Sequence, residues 1–218
     1  MSRVKLAIFD LDQTLLDTLP RFYEVFNRVL EEAGGARVDW ELFLEMYKRD
    51  ELNELLPSGV GVEDFWRRFL ELYDEHDPSS DRVLPGVEQV LAELKRRGTK
   101  IVVVTGRRSR PEVVLDNLAR HGLDKYVDAV YTATCAEELE FMFSKKEMIL
   151  KALEDFGASP SETIFVGDYR YDMLSGKRAG VLTIGVTTGY ESESVLRQYG
   201  ADRVVNALCE ILEAIRDG

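Results

Sequence analysis

Asp10 and Asp12 stand one residue apart at the end of an apolar run (Val4, Leu6, Ala7, Ile8, Phe9), with Thr14 and Asp17 close behind. Two acids leaving a hydrophobic strand can divide the work of a reaction: one attacks or holds a metal while the other moves protons. Thr105-Gly106 and Gly167-Asp168, the latter followed by Asp172, also close apolar runs. If these runs are parallel strands, their carboxyl ends share one edge, where open α/β sheets bind ligands. Three or four carboxylates crowded there raise one another's pKa, and a divalent cation removes the conflict. Oxygen ligands without His or Cys point to Mg2+, and magnesium points to phosphate on the substrate. The hydroxyls of Thr14 and Thr105 and the backbone at Gly106 can hold phosphate oxygens without adding charge. Gly167 lets backbone or ligand come close. A fixed cation must oppose the developing phosphoryl charge; Lys145, at the start of a predicted helix, is the first choice and Lys146 the second. Each feature has a plainer reading, a polar turn or a solvated lysine, and only their combination points to this chemistry.

Hydrophobic periodicity supplies the elements that would position these groups. Residues 100–105 (KIVVVT), 126–132, 163–166 and 181–186 read as strands beside the first. Val87, Val90, Leu91 and Leu94 mark a helix ended by Gly98, and Pro111 opens another that runs to Arg120. Ile149, Ala152, Leu153 and Phe156 face inward from a helix over 145–156, and Leu208, Ile211, Leu212 and Ile215 from a terminal one. Strand alternating with helix predicts an α/β fold, a Rossmann-like, doubly wound and mostly parallel sheet. Between the first strand and Leu84-Pro85-Gly86 the pattern is helical only: 20–32 before Gly34-Gly35, then Asp39 as N-cap of a helix to 49. After the loop 57–61 a third helix, 63–75, carries Phe65, Trp66, Phe69, Leu70 and Tyr73. Residues 1–17 and 83–218 therefore read as the core, and 18–82 as an inserted helical domain.

The 218 residues suffice for a core and a smaller second domain. A hydrophobic share of 45% and a charged share of 31% suit a soluble globular protein. The formal charge of −12 speaks against nucleic-acid binding, which draws affinity from Lys and Arg on phosphates. No run is long enough to cross a bilayer, and with no leader pattern and two unpaired-looking cysteines, Cys135 and Cys209, a reducing cytoplasm is expected. Two histidines, His76 and His121, leave little for a zinc site or a Ser-His-Asp triad and read as surface or helix-end residues. Scarce Asn and Gln beside abundant charge suggest a thermophilic source.

The ordered series DLDQT (10–14), VVVTGR (102–107), SKK (144–146) and GDYRYD (167–172) resembles the haloacid dehalogenase superfamily of phosphohydrolases, across the whole core. The insert is similar in position and size to the helical cap of its phosphoglycolate phosphatase and β-phosphoglucomutase branch. The resemblance implies that Asp10 is a nucleophile forming an aspartyl-phosphate, and Asp12 the general acid and base, lending its main-chain carbonyl to Mg2+. It implies that Thr105 binds the transferring phosphate, that Lys145 or Lys146 neutralises it, and that Asp168 and Asp172 serve the metal. A cap would close over the site, exclude water and choose the substrate. Two departures stand out: Gln13 occupies a position where Gly is commonest, and no Pro follows the lysine.

A phosphatase acting on a small phosphorylated metabolite is the expected activity, as monomer or homodimer. A phosphomutase using the same aspartyl-phosphate is the alternative, and a phospho-accepting receiver module is disfavoured by Asp12 and the helical insert. Arg107, Arg108 and Arg110 beside Thr105 read either as recognition of an acidic substrate or, preferably, as a solvated loop balancing nearby acids. Of Arg21, Arg49, Arg67 and Arg68, Arg21 is the best placed to meet a substrate anion. Trp66 and its aromatic neighbours read as the insert's core or a dimer face, and Glu137, Glu138 and Glu140 as a solvated rim.

Overall fold

Strand β1, Leu6–Phe9, has no exposed surface at any residue, because it lies in the middle of the sheet with strands on either side. The computed structural model describes residues 4–136, 140 and 143–215. The chain divides into two compact units, Met1–Asp17 with Arg82–Gly218, and Thr18–Asp81.

In the first unit β1 is followed by the short strand β2, Leu16–Asp17, which pairs antiparallel with β3, Arg82–Val83. The second unit intervenes between them with helices α1 (Leu19–Glu32), α2 (Trp40–Arg49) and α3 (Val62–Glu75). The core then alternates: α4 (Val87–Arg96), β4 (Lys100–Thr105), α5 (Pro111–Arg120), β5 (Ala129–Thr132), α6 (Lys146–Phe156) and β6 (Thr163–Gly167). It ends with α7 (Arg170–Ala179), β7 (Leu182–Val186), α8 (Glu193–Tyr199), β8 (Arg203–Val205) and α9 (Ile211–Ala214). Among the described residues the main sheet has six strands in the order β5-β4-β1-β6-β7-β8, every neighbouring pair parallel. Successive residues of a strand point to opposite faces. Ala7 and Phe9 accordingly pack with Val90, Leu94, Val103, Val114 and Leu118 on one face. Leu6 and Ile8 pack with Val102, Val104, Met148, Ile149 and Phe165 on the other. Helices cover both faces, so the central strands need unbroken apolar sequence, and that is what LAIF and KIVVVT provide.

Periodicity leaves several elements unannounced. The strand expected over 126–132 starts only at Ala129, because Asp124–Tyr126 forms a 3-10 turn and Asp128 caps the edge, accepting from Ile101 N at 2.9 Å. Helix α7 carries a glycine in its interior. Gly176 is required there: a Cβ would lie 2.2 Å from Thr183 Cγ2 and 3.0 Å from Phe165 Cδ1, so the close seat of helix on sheet excludes a side chain. The terminal helix is a 3-10 turn, Leu208–Glu210, running into the brief α9, with Leu208 and Ile211 fully buried.

The helical unit is held by aromatic packing. Phe22 meets Phe43, Tyr47, Trp66, Phe69 and Tyr73 at centroid separations of 4.5 to 6.3 Å. Asp39 caps α2 as its position suggests, accepting from Leu42 N at 2.8 Å. His76 and His121 sit at the C-terminal ends of α3 and α5. No described helix is long and apolar enough to cross a membrane.

Candidate active site

The polar groups gather at the carboxyl ends of β1, β4 and β6. Asp10 directly follows β1 and stays in register with the sheet, its N–H donating to Val166 O at 2.8 Å. The chain then turns sharply: Leu15 and Leu16 N–H both donate to Leu11 O, and Gln13 N–H to Leu16 O at 2.7 Å. Gln13 takes φ +60°, the left-handed region that favours glycine, which explains the glycine preference at this position. Its carbonyl accepts from the Thr188 hydroxyl at 2.7 Å, which helps to hold the turn.

Asp10, Asp168 and Asp172 are buried, and one oxygen of each lies within 4.8 Å of the others. Lys145 Nζ reaches them from the start of α6, 2.5 Å from Asp10 Oδ1 and also bonded to Asp172 Oδ1. Lys145 is anchored through its own N–H, which donates at 3.0 Å to Ser175 Oγ, a residue of α7. Thr14 Oγ1 donates to Asp168 Oδ1 at 3.0 Å and lies 3.5 Å from Asp10 Oδ2. Thr105 Oγ1 is 3.5 Å from Asp12 Oδ2. Lys146 faces elsewhere and pairs with Glu140, which also holds Arg178. Glu137 and Glu138 lie outside the described residues. Arg21 lies buried in the helical unit, 3.0 Å from Asp81 and over the Tyr73 ring.

Arg107 departs from the solvated loop expected of it. It is 6% exposed and grips Asp12 with two parallel bonds, Nε to Oδ2 at 3.0 Å and an Nη to Oδ1 at 2.7 Å. The cause is position: Arg107 lies two residues beyond the end of β4, its N–H 3.3 Å from Thr105 Oγ1, beside the acid that follows β1. Arg108 and Arg110 remain exposed.

The electrostatics follow from burial. Removal from water raises the Asp10 carboxyl from 3.8 to about 7; Lys145 opposes this, and Asp172 and Asp12 add to it. Asp168 is raised well above its ordinary value, first by burial and then by Asp10 and Asp172. Burial alone would lower the Lys145 ammonium, but Asp10 and Asp172 outweigh it and raise it. One ammonium thus faces three carboxylates, a deficit of positive charge. The donors are hard oxygens without His or Cys, so the cluster fits a hard divalent cation. Two glycines let the acids of the cluster lie close against the backbone. A Cβ at Gly167 would lie 2.4 Å from Asp172 Oδ2, and one at Gly189 only 1.9 Å from Asp168 Oδ2.

Ser175, Thr188, Gly189 and Tyr190 escape sequence reasoning. Tyr190, its hydroxyl raised by burial and then by Asp17 and Asp168, follows the end of β7. The available signal was the strand-end rule applied to that strand as well as to the other three.

The profile of the haloacid dehalogenase-like hydrolases matches residues 7–186, and the chain belongs to this family. A phosphoglycolate phosphatase of Agrobacterium fabrum is 31% identical over 194 residues, covering 85% of this chain and 81% of the relative. The pyrophosphatase PpaX of Bacillus mycoides is 28% identical over 213 residues, 96% of each chain. The solved structure of a haloacid dehalogenase-like family hydrolase from Streptococcus pneumoniae shares the fold, with a TM-score of 0.80 at 19% identity over 99% of this chain and 100% of that one.

Proposed function

We propose that this protein is a Mg2+-dependent phosphatase that hydrolyses a small phosphorylated metabolite through an aspartyl-phosphate on Asp10. The observation that carries this reading is the placement of Lys145 between Asp10 and Asp172 within the buried carboxylate cluster. Relatives that act on phosphoglycolate and pyrophosphate support the substrate class.

In this mechanism an Asp10 oxygen attacks phosphorus and the ester bond to the leaving oxygen breaks. Asp12 gives that oxygen a proton, since an alkoxide is a poor leaving group. Asp12 then takes a proton from water as the water oxygen attacks the same phosphorus; the Asp10–phosphorus bond breaks and inorganic phosphate leaves. Thr105 and the backbone at Gly106 hold phosphoryl oxygens, and Lys145 opposes the rise that burial imposes on the Asp10 carboxyl and balances charge developing beside it. Thr14 orients Asp168 and Asp10. Asp10, Asp168, Asp172 and the Asp12 carbonyl would hold Mg2+, which would supply further positive charge against the phosphoryl group. The helical unit is assigned the choice of substrate.

The test is phosphate release from a panel of phosphate esters and diphosphates, with Mg2+ or EDTA, beside Asp10→Asn. Metal-dependent release that Asp10→Asn lowers by roughly 1,000-fold or more is expected. A folded protein that frees no inorganic phosphate, or only isomerises a sugar phosphate, would sink the proposal.

A further inference from the structure

We infer that Ser175 is the positioning residue for Lys145, fixing where α6 begins so that Lys145, and not its neighbour Lys146, brings an ammonium to Asp10. The inference rests on the phosphatase reading above, in which that ammonium balances charge developing beside Asp10. Ser175 Oγ donates to Tyr171 O at 2.6 Å, one turn back in α7, and accepts from Lys145 N–H at 3.0 Å. With its proton committed to the helix, the hydroxyl offers Lys145 only lone pairs, so the direction of the second bond is fixed. Both residues are buried, Ser175 completely. The acceptor is itself firmly held: adjacent Gly176 seats this turn of α7 against Thr183 and Phe165, where no Cβ fits.

Helix α7 therefore holds Lys145 at two points. Asp172 and Ser175, three residues apart, share one face of the helix; the first meets Nζ and the second the main chain. The reaction treats these bonds differently. Asp10 becomes an ester when the phosphoryl group is transferred, and Asp172 is assigned to the metal, so neither carboxylate is dedicated to the lysine through a turnover. The Ser175 bond joins uncharged groups that take no part in bond making, and it persists. Lys145 needs such a fixed point, because it stands at the threshold of α6: its φ of −115° and ψ of 2° are not helical, and its side chain is a flexible stem. Its carbonyl joins the helix, accepting from Ile149 N–H at 2.9 Å. Lys146 instead has its N–H on Ser144 Oγ at 3.4 Å and its ammonium on Glu140. The two lysines are thus already separated by the partners of their main-chain N–H groups.

The test is a mutant cycle read with p-nitrophenyl phosphate. Ser175→Ala, Lys145→Met and the double variant are compared by kcat and KM, and exchange of the Lys145 and Ile149 amides is followed by NMR in the native protein and Ser175→Ala. Ser175→Ala should lower kcat by roughly 10- to 100-fold, the range for a small misplacement of a reacting group, with KM within about threefold. On the Lys145→Met background the same change should cost no more than about twofold, because no ammonium is left to place. A purely structural role gives the same loss on both backgrounds, and that result overturns the inference, as does a kcat for Ser175→Ala equal to the native one. If Ser175→Ala does not fold, Ser175→Cys, whose sulfur is a weaker acceptor, is read by the same cycle. The Lys145 amide should exchange at least about tenfold faster in Ser175→Ala while Ile149 keeps its rate. Unchanged exchange at Lys145 overturns the inference whether or not an ester is turned over. Faster exchange at Lys145 in a protein whose native form turns over no ester removes the phosphatase reading and leaves the anchoring of Lys145 standing.

Discussion

In EDTA, the folded protein should lose stability as pH rises from 5 to 8, the opposite of a protein held by surface ion pairs. The cause is Asp10. Burial lifts its carboxyl from 3.8 to about 7, against the pull of Lys145 and with help from Asp172 and Asp12. In the unfolded chain the same group ionises near pH 4. Between these values the folded chain holds a proton that the unfolded chain has released. This contribution is therefore fully present below about pH 4 and is lost as pH climbs through about 7. At about 1.4 kcal/mol per pH unit the difference is roughly 4 kcal/mol, and Asp168 is shifted in the same direction. Acids lowered by surface partners, Glu93 to about 2 with Arg96 and Arg97 among them, act in another window. Their contribution is lost only as pH falls below about 4.5. If the ionised cluster holds Mg2+, as proposed, the stabilising increment from the metal should grow with pH and reach about 2.7 kcal/mol at a hundredfold excess over Kd. Urea unfolding followed by circular dichroism at pH 5, 6, 7 and 8, with EDTA and with Mg2+, measures both effects. Asp10→Asn should flatten much of the slope in EDTA. A stability in EDTA that is level or rising from pH 5 to 8 would refute the reasoning, as would a Mg2+ increment independent of pH.

Two further outcomes follow from the site. Lys145→Met should reduce kcat on any turned-over phosphate ester by roughly 100- to 1,000-fold, whereas Lys146→Met should stay within about twofold, since Lys146 pairs with Glu140; equal losses would contradict the assignment. Gly189→Ala places a methyl 1.9 Å from Asp168 Oδ2, so Asp168 must shift. Mg2+ titration of activity and of melting temperature should both show an affinity at least about tenfold weaker, and unchanged affinity would show that Asp168 does not hold the metal.

Legibility in the sequence followed the range of the interactions involved. The central strands were readable because a strand covered on both faces must be continuously apolar, and LAIF and KIVVVT are. Helix α2 could be placed from its cap, because Asp39 acts on a neighbour three residues away. Helix α7 was not visible: an interior glycine and a polar composition argue against a helix locally, and only the fit of Gly176 against Thr183 and Phe165 accounts for it. Arg107 misled for a similar reason. Its basic neighbours marked the loop as solvated, while its place just past the end of β4 brings that one side chain to Asp12.

By itself, then, the order of residues determined the family, the parallel sheet and the acids at the ends of its strands, since each depends on local pattern and on the shared edge of parallel strands. The tertiary structure decided which charges meet. Lys145 reaches Asp10 across 135 positions of sequence, while adjacent Lys146 turns to Glu140, a choice that depends on the direction in which α6 begins. The room beside Asp168 and Asp172 depends likewise on glycines contributed by two different strand ends. Close approach of backbone and charge is a property of packed elements, and no single segment of the chain contains it.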